Sequence, residues 1–151
     1  MNIPAPNRPM FGPALEFLHP AFVQAAALCL RDMPAGPEVL LVQSLRQGRW
    51  ILPKGWPMKN RSLAEAAATE AWQEAGVRGR LHPDPVGAFT YTKLRKSGLP
   101  VQCRPQVYRI DVETLADTYP EAGRRTRAWF TLPAAIEAVQ NPEIKDLLRQ
   151  L

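Results

Sequence analysis

Two glutamates, Glu70 and Glu74, stand four residues apart in an alanine-rich stretch that ends at Gly76. That spacing places both carboxylates on one face of a helix. Paired carboxylates can hold a hard divalent cation such as Mg²⁺ or Mn²⁺, which neutralises phosphate oxygens and orients an attacking water. Gly55 precedes the stretch, and a glycine backbone can approach such a cation closely. A solvated helix face would show the same spacing, so the pair alone does not decide between the two interpretations.

The stretch that carries these glutamates has a defined beginning and end. Ser62 and Glu65 have the spacing of a capping box, in which the two side chains bind free amides of the first helical turn. Gly76 is typical of a helix that ends in a left-handed residue. The sequence therefore predicts a helix from Ser62 to Gly76, reached through a glycine loop after a short strand.

Apolar segments on both sides of this helix predict the strands of a sheet. They cover residues 21–31, 38–45, 50–52, 86–94, 100–103, 106–115 and 127–132, and the pattern already becomes strand-like from Val77 onward. Two helices are expected at the end of the chain, over 133–139 and 143–151, with Asn141 and Pro142 opening the second. Strands on both sides of one helix, followed by terminal helices, indicate an α/β fold with a central mixed sheet and helices on its faces.

Composition and length bound the domain organisation. The chain has 151 residues, and 46% of them are hydrophobic, as expected for one globular domain over residues 21–151. Residues 1–20 are rich in proline and predict an irregular N-terminal arm. The sequence has no apolar run long enough for a transmembrane helix and no signal peptide. We therefore expect no membrane partner.

Charge and cysteine content point to a class of partner and a compartment. The net charge of +5 favours an anionic partner, and a small phosphorylated substrate is the expectation. Nucleic acid is disfavoured because the sequence contains no glycine-aromatic or zinc-finger signature. Cys29 and Cys103 lie in apolar segments and are expected to be buried free thiols, which fits a reducing cytoplasm. The sequence leaves open whether the protein is a monomer or a homodimer.

The spacing around the helix resembles the Nudix box. The family pattern is a glycine, five residues, a glutamate, seven residues, and then Arg-Glu-apolar-x-Glu-Glu-x-Gly-apolar. Here the corresponding positions begin at Gly55, continue at Arg61 and end in the run from Thr69 to Val77. The resemblance extends over nearly the whole chain after residue 20, with supporting segments at 44–46, 49–53, 119–121 and 127–130. It is strongest to the branch that hydrolyses diphosphoinositol polyphosphates and diadenosine polyphosphates.

The resemblance implies a Nudix α/β/α sandwich and a Mg²⁺- or Mn²⁺-dependent hydrolase. The expected reaction is cleavage of a phosphoanhydride by metal-bound water, in a nucleoside-diphosphate-linked or diphosphoinositol-type substrate. By the same resemblance Glu70 and Glu74 are the catalytic residues, and together with Gly55 they are the metal ligands. The basic residues Arg46, Arg49 and Lys54 are expected to bind substrate phosphates, since arginine suits phosphate geometry.

The box departs from the family pattern at three positions. Arg61 replaces the first glutamate, Thr69 replaces the arginine, and Gln73 replaces the first glutamate of the adjacent pair. Gln73 could still offer an uncharged carbonyl oxygen to a metal, and Glu121 is a candidate for a compensating carboxylate. The departures support a second hypothesis, a catalytically impaired Nudix-fold module that binds a phosphorylated ligand without turnover.

Overall fold

The computed structural model describes residues 21–151, in which nine strands form one sheet with three helices. The strands are β1 (Phe22–Met33), β2 (Gly36–Gln43), β3 (Trp50–Ile51), β4 (Lys54–Gly55), β5 (Val77–Leu81), β6 (Gly87–Ala88), β7 (Tyr91–Leu94), β8 (Pro100–Leu115) and β9 (Arg127–Thr131). The helices are α1 (Leu63–Ala75), α2 (Leu132–Ala138) and α3 (Pro142–Arg149). The predicted N-terminal arm, residues 1–20, lies outside the described residues, so the division of the chain into arm and domain stays a prediction.

The sheet is mixed, as predicted. Its central order is β3-β2-β1-β8-β5, and β4, β6, β7 and β9 pair beside this path. β1 and β8 run parallel, with Phe22 opposite Cys103 and Leu30 opposite Asp111, whereas the other pairs are antiparallel. Each of these two strands has apolar side chains on both faces, which is the pattern of a strand covered on both sides.

Alternating side chains of β1 pack into two apolar layers, one on each face of the sheet. Ala25, Ala27 and Cys29 pack with the alanines of α1 on one face, while Ala26 and Leu28 pack with α2 and α3 on the other face. This alternation follows from the two-residue period of a strand. The α/β/α sandwich is therefore confirmed, and α1 covers the face on which the site is built.

Helix α1 begins and ends as the sequence predicts. The Ser62 hydroxyl accepts from the Glu65 amide at 3.1 Å, and the Glu65 carboxylate accepts from the Ser62 amide at 3.0 Å. Gly76 adopts φ of 67° at the end of the helix. Its buried alanines, such as Ala67 and Ala71, are small enough to bring the helix axis close to the sheet.

The prediction was wrong in three places. Segments 100–103 and 106–115 are one continuous strand, β8, although Pro105 lies within it. Pro105 lies opposite Gln24 in the β1–β8 ladder, but its carbonyl accepts from the Phe89 amide on the other side, so its missing amide faces the gap between the β6 and β7 pairs. Conversely, the single strand expected over 86–94 is split into β6 and β7. The sequence analysis also missed β4, whose pairing with β1 places Gly55 opposite Ala25.

No helix in the described part of the chain combines the length and apolar character needed to cross a membrane.

Candidate active site

The site is built where β4 lies against the middle of α1. A Cβ atom added to Gly55 would lie 2.2 Å from Oε1 of Glu70 and 2.3 Å from its carboxyl carbon. Only a residue without a side chain allows this approach between strand backbone and carboxylate. Gly55 is thus selected by close contact with Glu70, and the two predicted metal-site residues are brought together.

Glu74 lies one turn further along α1 and is almost completely buried, with 4% of its surface exposed. Both carboxylate oxygens have partners: Oε2 accepts from the Lys54 amide at 3.0 Å, and Oε1 accepts from Nη1 of Arg125 at 2.9 Å. A buried carboxylate without partners would be strongly unfavourable. The amide of β4 and the guanidinium together make the burial of Glu74 tolerable.

Arg125 comes from the loop between β8 and β9, and it also binds Glu121. Its Nη2 donates to Oε1 of Glu121 at 2.9 Å, so one guanidinium bridges two carboxylates. The loop is fixed to the end of α1 because the Glu121 amide donates to the Gln73 carbonyl at 3.0 Å. Glu121 is therefore close to the site, and in this structure its carboxylate faces Arg125.

Burial determines the electrostatics of the site. It raises the pKa of Glu74 to about 8, with Glu70 acting in the same direction and Arg125 opposing it. It also raises the pKa of the Glu70 carboxyl. The pKa of Lys54 is lowered by burial, against the effect of the Glu74 carboxylate. Burial disfavours the charged form of each of these groups, and a cation bound between Glu70 and Glu74 would offset that cost for the two carboxylates.

The residues present fit a divalent cation that is shared with a substrate. Within residues 21–151 no three His, Cys, Asp or Glu side chains converge in a geometry that would hold a metal ion by themselves. Mg²⁺, however, is commonly bound by one or two carboxylates together with water and substrate phosphates. Glu70 and Glu74 supply two such carboxylates. Because Gly55 lies directly against the Glu70 carboxylate, the backbone of β4 is next to the same cation position.

The two substituted positions at the start of the box contact each other. Nη1 of Arg61 donates to Oγ1 of Thr69 at 3.0 Å, and the Thr69 hydroxyl donates to the Glu65 carbonyl at 2.9 Å. The family pattern has glutamate and arginine at these positions, and here a basic and a hydroxyl residue connect the loop to the helix. The bracing of the box is rebuilt with different chemistry.

The predicted phosphate-binding residues are spread over two segments. Arg46 and Arg49 are exposed in the turn between β2 and β3, and neither forms an ion pair with another described residue. Lys54 is half-buried in β4, and its ammonium lies 4.5 Å from the centre of the Tyr91 ring. The structure places only Lys54 beside Glu74, and the roles of all three residues stay predictions. The same holds for Gln73, which is half-buried in the last turn of α1.

Sequence reasoning missed Arg125 as part of the site. It lies 51 residues after Glu74 in a run of basic residues, where nothing separates it from its exposed neighbour Arg124. The side chain of Arg125 is 9% exposed and that of Arg124 is 61% exposed. Only the docking of the loop onto α1 distinguishes the two arginines.

A sequence model of the NUDIX domain matches residues 22–151. This chain belongs to the NUDIX family. The family explains the shared geometry of β4 and α1, because the box that defines it spans both elements. Members of this family generally use divalent metal ions.

The relatives of this NUDIX chain include one of the two groups that the sequence resembles, the diphosphoinositol polyphosphate phosphohydrolases. It is 34% identical over 117 residues to "Nudix hydrolase 16, mitochondrial" of Arabidopsis thaliana, covering 74% of this chain and 63% of the relative. It is 36% identical over 121 residues to diphosphoinositol polyphosphate phosphohydrolase 3-beta of Homo sapiens, covering 78% and 68%. The chain spans between 51% and 63% of the length of four Arabidopsis Nudix hydrolases.

Solved structures agree on the fold. The Ap4A hydrolase of C. elegans has a TM-score of 0.61 at 23% identity, over 86% of this chain and 95% of that one. The NUDIX domain of NrtR from Shewanella oneidensis, complexed with ADP ribose, has a TM-score of 0.60 at 14% identity, over 86% and 87%. At these identities the likeness carries the architecture only.

Proposed function

We propose that this protein hydrolyses a phosphoanhydride in a small phosphorylated substrate with the help of Mg²⁺ or Mn²⁺. The observation that carries the proposal is the buried Glu74, held by the Lys54 amide and Arg125, one turn from Glu70 against Gly55. Relatives named as phosphohydrolases of diphosphoinositol polyphosphates support the choice of substrate class.

In this mechanism Glu70 and Glu74, with Gly55, would hold the cation. A divalent cation, when bound, supplies positive charge to the phosphate oxygens and lowers the pKa of water. The residues of this chain orient the water and bind the substrate. Glu70 and Glu74 orient water toward the bridging phosphate, and the amide of Lys54 keeps the Glu74 carboxylate aimed into the site. Arg46, Arg49 and Lys54 would attract the substrate phosphates.

The test is phosphate release from a panel of dinucleoside polyphosphates and diphosphoinositol polyphosphates, with Mg²⁺ or Mn²⁺. We expect Glu74→Gln to reduce the metal-supported rate by about a hundredfold or more, because the variant removes a charged ligand that the reaction requires. Glu137→Gln is the matched control, since Glu137 is exposed on α2 and its loss should leave the rate unchanged. Equal rates for Glu74→Gln and the native protein would contradict the role of Glu74.

The second candidate function is a module that binds a phosphorylated ligand without turnover. Two observations support this candidate. Gln73 stands where the family has glutamate, and the Arg125 guanidinium already binds the Glu74 carboxylate. The discriminating variant is Gln73→Glu. If the native protein binds ligands from the panel tightly but releases no product, and Gln73→Glu gains activity, the binding module is favoured. Turnover by the native protein would exclude it.

A further inference from the structure

The guanidinium of Arg125 occupies the place between two acidic side chains of the site. Its Nη1 lies 2.9 Å from Oε1 of Glu74, and its Nη2 lies 2.9 Å from Oε1 of Glu121. The three side chains are 9%, 5% and 18% exposed, respectively. Two charge-assisted hydrogen bonds in such a dry environment are among the stronger polar contacts in proteins. Arg125 is thus a built part of the site.

The fold fixes the position of Arg125. Two backbone bonds connect its loop to the end of α1, from the Glu121 amide to the Gln73 carbonyl and from the Ala116 amide to the Gly76 carbonyl. Arg127, two residues further on, donates to the Ala75 carbonyl at 2.6 Å. These contacts satisfy carbonyl groups that a helix end leaves free. The guanidinium is therefore delivered by an anchored loop, and withdrawing it requires a rearrangement of that loop.

The partners are distributed unequally among the three glutamates. Glu74 has one partner on each oxygen, and Glu121 is bound by Arg125. Glu70 forms no ion pair with any residue in the range 21–151. The acidic group that is open to a cation is therefore Glu70, together with the remaining lone pairs of Glu74 on the same helix face.

Charge balance leads to the same conclusion. In their ionised forms, the three carboxylates and the one guanidinium together leave two negative charges. A single divalent cation neutralises that remainder. A second would have to enter beside a guanidinium that repels it, at a distance where the repulsion is strong in a poorly solvated site.

We propose that Arg125 is a resident cation that takes the place of a second metal ion. It saturates Glu121 and one oxygen of Glu74, so the site accepts one divalent cation, at Glu70 and Glu74. This inference rests on the proposed function, because it assumes that the site binds a metal. It goes further by assigning the number of ions and the residue of this chain that sets it.

The experiment counts Mn²⁺ bound to the full chain, by the electron paramagnetic resonance signal of free Mn²⁺ during titration. No turnover is needed, and the titration is run with and without inorganic phosphate, which stands in for the substrate phosphates. The native protein should bind a single ion. Arg125→Gln keeps a polar but shorter side chain without the charge. It should bind a second ion and should tighten the first by roughly tenfold, because a unit positive charge no longer repels it.

Two further variants separate charge from structure. Arg125→Lys keeps the charge and should retain the single ion. Arg124→Gln removes the same charge from the adjacent residue, which is exposed and lies 3.9 Å from Glu121, and it should also leave the count unchanged. A merely structural role of Arg125 would predict the same count in all four proteins, and that outcome with a folded Arg125→Gln would overturn the proposal.

Glu121→Gln keeps the proposal testable if Arg125→Gln does not fold. Because Glu121 binds Arg125 and not the metal, its loss removes one nearby negative charge and should weaken the single Mn²⁺ by about tenfold or less without abolishing it. A loss of Mn²⁺ binding in Glu121→Gln would mean that Glu121 is a metal ligand and would overturn the proposal. Absence of Mn²⁺ binding by the native protein both with and without inorganic phosphate would instead contradict the proposed function itself.

Discussion

Glu74 combines two requirements that oppose each other, burial and charge. Its side chain is 5% exposed, and burial raises its pKa, yet the Lys54 amide and Arg125 both favour the ionised form. Glu70 is more exposed than Glu74, and its carboxylate is not held by a backbone amide and a guanidinium. At the scale of single residues, the site therefore consists of one carboxylate that is fixed, Glu74, and one that can move to bind a cation, Glu70.

The close approach of the Gly55 backbone to the Glu70 carboxylate can be tested by adding a side chain at Gly55. In Gly55→Ala the new Cβ would fall 2.2 Å from Oε1 of Glu70, so the flexible carboxylate must move away. We expect normal folding, because only the end of a side chain has to shift, but Mn²⁺ affinity reduced by about tenfold or more. Isothermal titration with Mn²⁺ measures the affinity, and circular dichroism measures the fold.

The matched control for Gly55→Ala is Gly98→Ala in the turn between β7 and β8, where a Cβ would meet nothing within 4 Å. Its positive φ makes that substitution mildly destabilising without touching the site. Unchanged Mn²⁺ affinity in Gly55→Ala would show that Glu70 does not need its present position to bind a metal.

At the scale of elements, α1 joins the two halves of the site. The capping box fixes its first turn, and the loop of Glu121 and Arg125 is anchored to its last turn. The hydrogen bond from Arg61 to Thr69 connects the preceding loop to the same helix. The helix therefore positions Glu70 and Glu74 with support at both ends, and its stability should influence the site as a whole.

Ser62→Ala removes one half of the capping box and should lower the free energy of unfolding by about 1 kcal/mol. For a domain of this size that corresponds to a fall in melting temperature of roughly 3 °C. Thermal denaturation followed by circular dichroism provides the measurement.

Ser97→Ala, in an exposed turn where the hydroxyl is 3.5 Å from the Leu99 amide, should change the melting temperature by less than 1 °C, as is typical of surface substitutions. If Ser62→Ala and Ser97→Ala have equal effects, the capping box contributes nothing to stability.

At the scale of the whole molecule, two apolar layers enclose the sheet, and both cysteines are buried in the folded protein. Cys29 lies in the layer under α1 with none of its surface exposed, and Cys103 is equally buried at the start of β8. Burial raises the pKa of the Cys29 thiol to about 12. Since the thiolate is the reactive form, the native protein protects this group both by access and by protonation.

We expect neither cysteine to react with a thiol reagent such as DTNB in the native protein at pH 8, and both to react in guanidinium chloride. Rapid labelling of the native protein would show that the sheet opens locally at these positions.

The raised pKa of the Cys29 thiol in the folded state also makes stability depend on pH. Because deprotonation of this thiol favours the unfolded chain, the free energy of unfolding should fall as the pH rises above the ordinary thiol pKa of about 8.5.

The sequence by itself determined what depends on neighbouring residues. The limits of α1 follow from Ser62, Glu65 and Gly76, and the common face of Glu70 and Glu74 follows from helical period. The mixed sheet follows from the order of apolar segments, and the family follows from the spacing of the box. The helix limits and the shared face are set within a few residues of chain, and the other two features are read from the order and spacing of segments, so none of them requires knowledge of a tertiary contact.

Only the tertiary structure decided which distant residues complete the site. Arg125 reaches Glu74 across 51 residues, and Glu121 accompanies it because their loop docks on the end of α1. The sequence pointed to Glu121 as a compensating carboxylate but did not reveal that a guanidinium separates it from Glu74. Arg124 and Arg125 are adjacent arginines in one basic run, so the sequence does not distinguish them. Packing alone makes Arg125 a buried counter-ion and Arg124 a surface charge.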